Sequence, residues 1–158
     1  WRDYLDRELD HDARLATLAE LGGVGEARLR RVRSRLREIG ELAGEPRLSH
    51  GDLRLKNVLV DRDARITAVI DWETATSNAA RFWDTSLALH DLSIDQKQAY
   101  LEGYGMDAAG IAELAPHLKA LNLLNYAPWL QRAAQAGDAA SVTQYRVRLS
   151  GELDLYCL

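Results

Sequence analysis

The sequence predicts an α+β domain that is predominantly helical, and three observations carry that reading. Apolar residues recur at helical spacing on both flanks of the chain, from Trp1 to Ile39 and again after residue 77. Between the flanks, two β-rich runs, Asn57-Val58-Leu59-Val60 and Thr67-Ala68-Val69-Ile70, bracket the polar loop 61–65, the pattern of a single hairpin. The 158 residues, 47% of them hydrophobic and 28% charged, suffice for one domain of ordinary size with a real core.

Trp1, Tyr4, Leu5, Leu9, Leu15 and Leu18 share one half of a helical wheel, so residues 2–20 are expected as one amphipathic helix. Gly22-Gly23-Val24-Gly25 stops it. Glycines that cradle phosphate follow a strand, whereas these follow a helix, so they read as a helix-ending turn. Leu29, Val32, Leu36 and Ile39 then line one face of a second helix over about residues 26–42. Its arginines, at 28, 30, 31, 33, 35 and 37, spread over the whole arc opposite that stripe and read as a solvated face rather than a nucleic-acid ridge. Gly44-Glu45-Pro46 is a turn, and Leu48-Ser49 a short extended lead-in to the hairpin. Beyond residue 77, helices are expected over 79–89, 95–104, 108–136 with a break at Pro116 or Pro128, and about 139–155.

The net charge of −4 argues against nucleic acid or an anionic membrane as partner. Cys157 is the sole cysteine, which excludes a disulfide framework and a thiolate metal cluster. His11, His90 and His117 lack ligand spacing, so no zinc site is expected. The most apolar stretch, residues 118–130, is interrupted by Lys119, Asn122, Asn125 and Pro128, and no signal peptide is visible, so the expected location is the cytoplasm. The chain starts at Trp1 inside a helical pattern, and a domain cut from a longer protein is expected.

The chemistry lies in and around the hairpin. His50-Gly51-Asp52-Leu53-Arg54-Leu55-Lys56-Asn57 leads into the first strand, and Asp71 follows the second, in Asp71-Trp72-Glu73. An acid, an amide five residues on and an acid closing the next strand are the polar groups of a phosphoryl-transfer site. The first accepts a hydroxyl proton, and the other two offer oxygen to Mg²⁺. Folding the hairpin about Ala64 pairs position 57 with position 71 across strands roughly 5 Å apart, so Asn57 and Asp71 are expected to emerge together with Asp52 at the same end. Singly, each of the three is an ordinary turn or cap residue; their joint spacing is what points to a site.

The two motifs, His50-Gly51-Asp52-Leu53-x-x-x-Asn57-Val58-Leu59-Val60 and Val69-Ile70-Asp71-Trp72-Glu73, resemble those of the aminoglycoside phosphotransferase and choline kinase-like family, distant relatives of the protein kinases. The resemblance covers essentially the whole chain and implies the C-terminal, large lobe of a protein-kinase-like fold with one catalytic hairpin. It implies Asp52 as catalytic acid–base residue, Asn57 and Asp71 as metal ligands, and Asp84 as a helix-borne buttress of the catalytic loop. His50 is expected to support the same loop. The resemblance further implies ATP or GTP as phosphoryl donor, Mg²⁺ as cofactor and a small-molecule hydroxyl as acceptor; antibiotic, choline-like, sugar and hydroxy-acid acceptors all stay open.

Glu73, Asp91 and Asp95, with Glu102, are candidates for holding the ammonium groups of a cationic acceptor, and each reads equally as a solvated charge or a cap. Trp72, Trp83, Tyr126 and Trp129 are candidate pocket aromatics for which core packing is the expectation. Two departures from the family pattern stand out. No β-rich lobe with a glycine-rich loop and strand lysine precedes His50, Lys56 being the only lysine before residue 97. Asn78-Ala79-Ala80 replaces the usual Gly-Asp-Pro. The isolated lobe is therefore expected to be inactive without an N-terminal nucleotide-binding lobe in cis. The alternative is a non-catalytic kinase-like domain that binds a metabolite or a partner protein.

Overall fold

The structure is a computed structural model that describes residues 2–41, 45–78, 82–90 and 92–155. It is mainly helical with two small sheets, and the chain divides into two compact units, residues 1–42 with 115–158 and residues 43–114.

Among its described residues the first unit holds helices and no strand. A π-helical turn, Tyr4–Glu8, precedes α1 (His11–Glu20). The single helix expected over residues 2–20 is thus interrupted, because Asp10 takes a left-handed conformation (φ 46°) and accepts the Ala13 N–H at 3.4 Å as the α1 cap. α1 ends in the glycine turn the sequence indicates, with Gly23 left-handed at φ 70° and the Val24 N–H returning to the Leu18 carbonyl. Gly22 is needed for a different reason: a β-carbon there would lie 2.6 Å from the Leu18 carbonyl oxygen and 2.9 Å from Leu149. α2 (Glu26–Glu41) buries Leu29, Val32, Leu36 and Ile39, the stripe read from the sequence. Its opposite face carries ion pairs such as Arg35–Glu38 at 2.7 Å and Arg30–Glu26 at 3.7 Å, as a solvated face does.

α5 (Ala108–Gln135) passes through both Pro116 and Pro128 without the expected break. Proline at 128 removes the N–H that would bond the Leu124 carbonyl. Arg14 of α1 takes over that carbonyl, its Nη1 lying 3.4 Å from the oxygen. Burial holds the Arg14 guanidinium below its usual pKa. Leu118, Leu121, Leu123, Leu124 and Leu130 of the same helix are almost fully buried, so packing overrides the local proline penalty. α6 (Ala139–Leu155) contributes the buried Leu149, and its Arg146 donates to the Leu21 carbonyl at the end of α1 (2.6 Å).

The second unit holds the strands. β1 (Arg47–Ser49) pairs antiparallel with β4 (Thr76–Asn78), a strand and a sheet that the sequence did not announce. β2 (Val58–Val60) and β3 (Ile66–Val69) form the hairpin. Its register corrects the expected one. Val58 faces Val69 and the Ile70 N–H bonds the Asn57 carbonyl at 2.9 Å, so position 57 aligns with 70 rather than 71. The cause is the turn. Ala64 sits left-handed at φ 59° and donates its N–H to the Asp61 carbonyl, and an irregularity between Leu59 and Val60 shifts the pairing again, to Val60 opposite Ile66. α3 (Phe82–His90), α4 (Ile94–Gly103) and the first residues of α5 complete the unit, α4 opening on a Ser93/Gln96 capping box.

Candidate active site

The loop from His50 to Asn57 is held from several sides, each hold belonging to a named atom. Asp84, half-buried on α3, accepts the His50 N–H at 2.7 Å on Oδ2 and the Gly51 N–H at 2.9 Å on Oδ1. A carboxylate that takes two backbone donors satisfies groups no strand or helix serves. Beside it, the Trp83 indole N–H donates to the Gly51 carbonyl at 3.1 Å, and the Thr74 hydroxyl donates to the His50 carbonyl at 3.1 Å. Gly51 is left-handed at φ 85°, and a β-carbon there would collide with the Thr74 backbone carbonyl. The second position of the motif therefore requires glycine twice over.

His50 is 3% exposed and both ring nitrogens are committed. Nε2 lies 2.8 Å from the Ile70 carbonyl, which can only accept, and Nδ1 lies 3.3 Å from the Asp52 N–H, which can only donate. This pairing is met by the tautomer with its proton on Nε2, and it links the loop to the second strand. Its ring packs 4.5 Å from Trp72.

Asp52 and Asn57 meet directly. The Asn57 amide nitrogen donates to the Asp52 carbonyl at 2.8 Å and to Asp52 Oδ2 at 3.2 Å. Asn57 is 3% exposed, and with both amide hydrogens on Asp52 its oxygen is the atom left for another ligand. Lys56 Nζ also lies on Asp52 Oδ2, at 2.6 Å. The sequence gives no sign of this pair, because residues 52–54 are not helical and a four-residue spacing predicts a contact only on a helix. Trp83, Thr74 and Gly51 were likewise missed as supports of the loop, for their bonds run through the backbone.

Asp71 follows Ile70, whose N–H is on Asn57 and whose carbonyl is on His50. Its backbone is thereby tied to both, though one register step from the expected position. It is exposed, left-handed at φ 69°, and makes no side-chain cap hydrogen bond to the short turn Trp72–Thr74 that it opens. A non-glycine residue in that conformation carries strain, which clusters at functional sites. Glu73 and Asp95 are exposed, and among the described residues neither is joined to Asp52, Asn57 or Asp71 by a hydrogen bond or ion pair. Glu102 accepts from Gln98 at 2.8 Å. Asp91, and the Ala79-Ala80 part of the motif departure, lie outside the described residues. Trp83 and Tyr126 are buried, whereas Trp72 is 47% exposed.

No group of three or more His, Cys, Asp or Glu suited to a metal occurs among the described residues. One carboxylate and one amide oxygen suit a hard cation that keeps water and phosphate in its remaining positions, as Mg²⁺ does.

The model of the phosphotransferase enzyme family matches residues 1–117, which include the whole loop, the hairpin and Asp84. The chain belongs to that family. Its fold is that of part of the aminoglycoside phosphotransferase APH(4)-Ia. The apo form of a thermostable mutant superposes with a TM-score of 0.58 at 21% identity, covering 99% of this chain and 53% of that one. A ternary complex of a thermostable mutant with AMP-PNP and hygromycin B gives 0.56 at 22%, covering 96% and 51%. The family member described here therefore spans about half the length of the structures it matches. Among curated proteins no match is found. No described helix of this phosphotransferase-family chain is long and apolar enough to cross a membrane.

Proposed function

We propose that this chain is the acceptor- and metal-bearing lobe of an ATP- or GTP-dependent phosphotransferase acting on a small-molecule hydroxyl. The observation that carries the reading is the Asn57 amide. Its nitrogen is pinned to Asp52, its oxygen is left over, and its backbone carbonyl is bonded to the residue before Asp71. Proton acceptor and metal donors are thus distinct groups, Asp52 and Asn57 on the loop and Asp71 after the second strand that the loop is bonded to.

In this mechanism the acceptor hydroxyl oxygen attacks the γ-phosphorus and the bond to the β-phosphate oxygen breaks. The hydroxyl proton passes to Asp52 and the nucleoside diphosphate leaves. Oδ1 of Asp52 is the proton-accepting oxygen, because Oδ2 is occupied by Lys56 and Asn57. Asn57 and Asp71 would hold Mg²⁺, which when bound supplies positive charge against the phosphate oxygens. Asp84, Trp83 and Thr74 keep the loop from relaxing, so Asp52 needs no reorganisation during the reaction. A nucleotide-gripping lobe in cis would supply the other half of the donor site, and residues 1–158 alone would bind Mg·ATP at roughly millimolar strength or more weakly, without turnover.

A second reading, a non-catalytic domain covered by a partner protein, is favoured by one observation. Leu48, Leu55, Leu59, Val60, Ile66, Ile70 and Trp72 are all exposed around the hairpin. A phosphorylation screen separates the two. The whole gene product is assayed with ATP and Mg²⁺ against aminoglycosides, choline-like amines, sugars and hydroxy acids. Phosphorylation that falls about 10²–10⁴-fold in Asp52→Asn with nucleotide affinity kept, and loses both in Asp71→Ala, supports the transferase. No phosphorylation, or equal mild effects of the two changes, sinks it.

A further inference from the structure

We propose that Lys56 is a positioning residue for phosphoryl transfer, holding Asp52 in a single orientation; this rests on the phosphotransferase reading above and deepens it. Three contacts define the geometry. Lys56 Nζ lies 2.6 Å and Asn57 Nδ2 3.2 Å from the same oxygen, Oδ2 of Asp52, while Asn57 Nδ2 also takes the Asp52 backbone carbonyl at 2.8 Å. A carboxylate on a single χ2 bond is a rotor, and two donors on one oxygen stop it. The other oxygen, Oδ1, then faces away from Lys56 and Asn57 and is the one offered to an acceptor hydroxyl.

Asn57 alone does this weakly, because 3.2 Å is at the long end for such a bond. The ammonium supplies the short, charge-assisted contact. Lys56 lies on the short 3₁₀ turn Leu55–Asn57, whose N–H at Asn57 returns to the Arg54 carbonyl, so its backbone is anchored next to the acid it grips. Its side chain is 56% exposed, against 28% for Asp52. An ion pair this open adds little to folding stability. Its consequence is orientation, together with a second one from charge. The ammonium has three hydrogens and Asp52 uses one direction of them, so a cation stands beside the carboxylate where an anionic phosphoryl group must approach. The lysine thereby offsets the repulsion between base and phosphoryl donor at the point of transfer.

The test uses the whole gene product with Lys56→Met, Lys56→Arg, Asp52→Asn and the Asp52→Asn/Lys56→Met double variant. Lys56→Met is expected to lower kcat about 10–100-fold, the scale of a misplaced reacting group. The nucleotide KM should rise by no more than a few-fold, since the ion pair acts chiefly on the orientation of Asp52. Lys56→Arg should restore most of kcat, and Lys56→Met should cost nothing more once Asp52 is already Asn. Independently of turnover, the Lys56 Nζ–H₃⁺ signal in ¹⁵N-resolved NMR should move or vanish in Asp52→Asn. An unchanged kcat in Lys56→Met, an equal further loss in the Asp52→Asn background, or an unmoved NMR signal overturns the proposal. If the wild type phosphorylates no acceptor, the role in transfer falls with the parent reading, and the NMR signal then shows separately whether the pair itself exists.

Discussion

The two units of this chain are built on different principles, and the contrast sets apart the loop that carries Asp52. Residues 1–42 with 115–158 bury a ladder of leucines, Leu15, Leu18, Leu36, Leu121, Leu124 and Leu130, each at 2% exposure or less. Residues 43–114 leave apolar side chains outside: of the large hydrophobics exposed among the described residues, all but Val147 lie there. That unit is held at its loop by directed polar bonds, Asp84 to two N–H groups, Trp83 and Thr74 to two carbonyls, and His50 across to Ile70. Apolar packing is non-directional and fills space, whereas a hydrogen bond fixes an atom in a direction. The loop that carries Asp52 has the second kind of support, and the same unit holds the left-handed Gly51, Ala64 and Asp71.

The sharpest break of that contrast is a pair of truncations. Leu121→Ala should cost about 2–5 kcal/mol, from lost burial plus a cavity, while Ile66→Ser on the exposed hairpin should lie within about 0.5 kcal/mol. Urea unfolding of the two variants measures both, and similar costs would erase the distinction. Next in size, Asp84→Ala leaves the His50 and Gly51 N–H groups unpaired and should cost about 1–3 kcal/mol. Its loop amides should then exchange hydrogen faster than those of α2 in the same sample; exchange that rises equally in both would mean that Asp84 serves general packing.

Ala64→Gly should go the other way, stabilising by up to about 1 kcal/mol, because its left-handed backbone suits glycine. A lowered melting temperature would show that the turn relaxes in a manner the register does not reveal. The smallest effect is in pH. At the start of α6, Asp138 accepts from the Ser141 hydroxyl at 2.6 Å and its N–H at 3.0 Å, and these bonds hold its carboxyl below the usual range. Its folded pKa is depressed, so its contribution is present above the ordinary carboxylate pKa and fades as pH falls through the folded one. Asp138→Asn should flatten the acid limb of the stability profile slightly, read by thermal melts from neutral to acidic pH.

Much of this was legible in the chain, though unevenly. The α2 stripe is visible because Leu29, Val32, Leu36 and Ile39 repeat at one face's spacing. The motif around Asp52 is visible because acid, amide and acid flank one hairpin within 20 residues, from Asp52 to Asp71. β4 was not, since Thr76-Ser77-Asn78 lacks alternation and pairs through its backbone with a strand 29 residues earlier, Leu48 opposite Ser77. The hairpin register escaped by one step because a left-handed alanine and an irregular pairing are settled by the turn, not by side-chain pattern. Asp10 broke the first helix for a like reason: its cap competes with helix continuation, and both are open to an aspartate.

By itself the sequence determined the helix-rich class, the faces that are buried, the glycine end of α1 and the residue types of the site. These are local properties, expressed within a few turns of chain by periodicity, φ preference and side-chain chemistry. The tertiary structure alone decided that α5 runs unbroken through Pro128, because Arg14, 114 positions of numbering away from that proline's site in a different helix, meets the carbonyl the proline leaves free. It alone decided which oxygen of Asp52 is bound by Lys56 and Asn57, and that His50 is committed on both nitrogens. Such outcomes depend on where distant backbone groups come to rest, and a backbone N–H or carbonyl leaves no mark of its partner in the letters of a sequence.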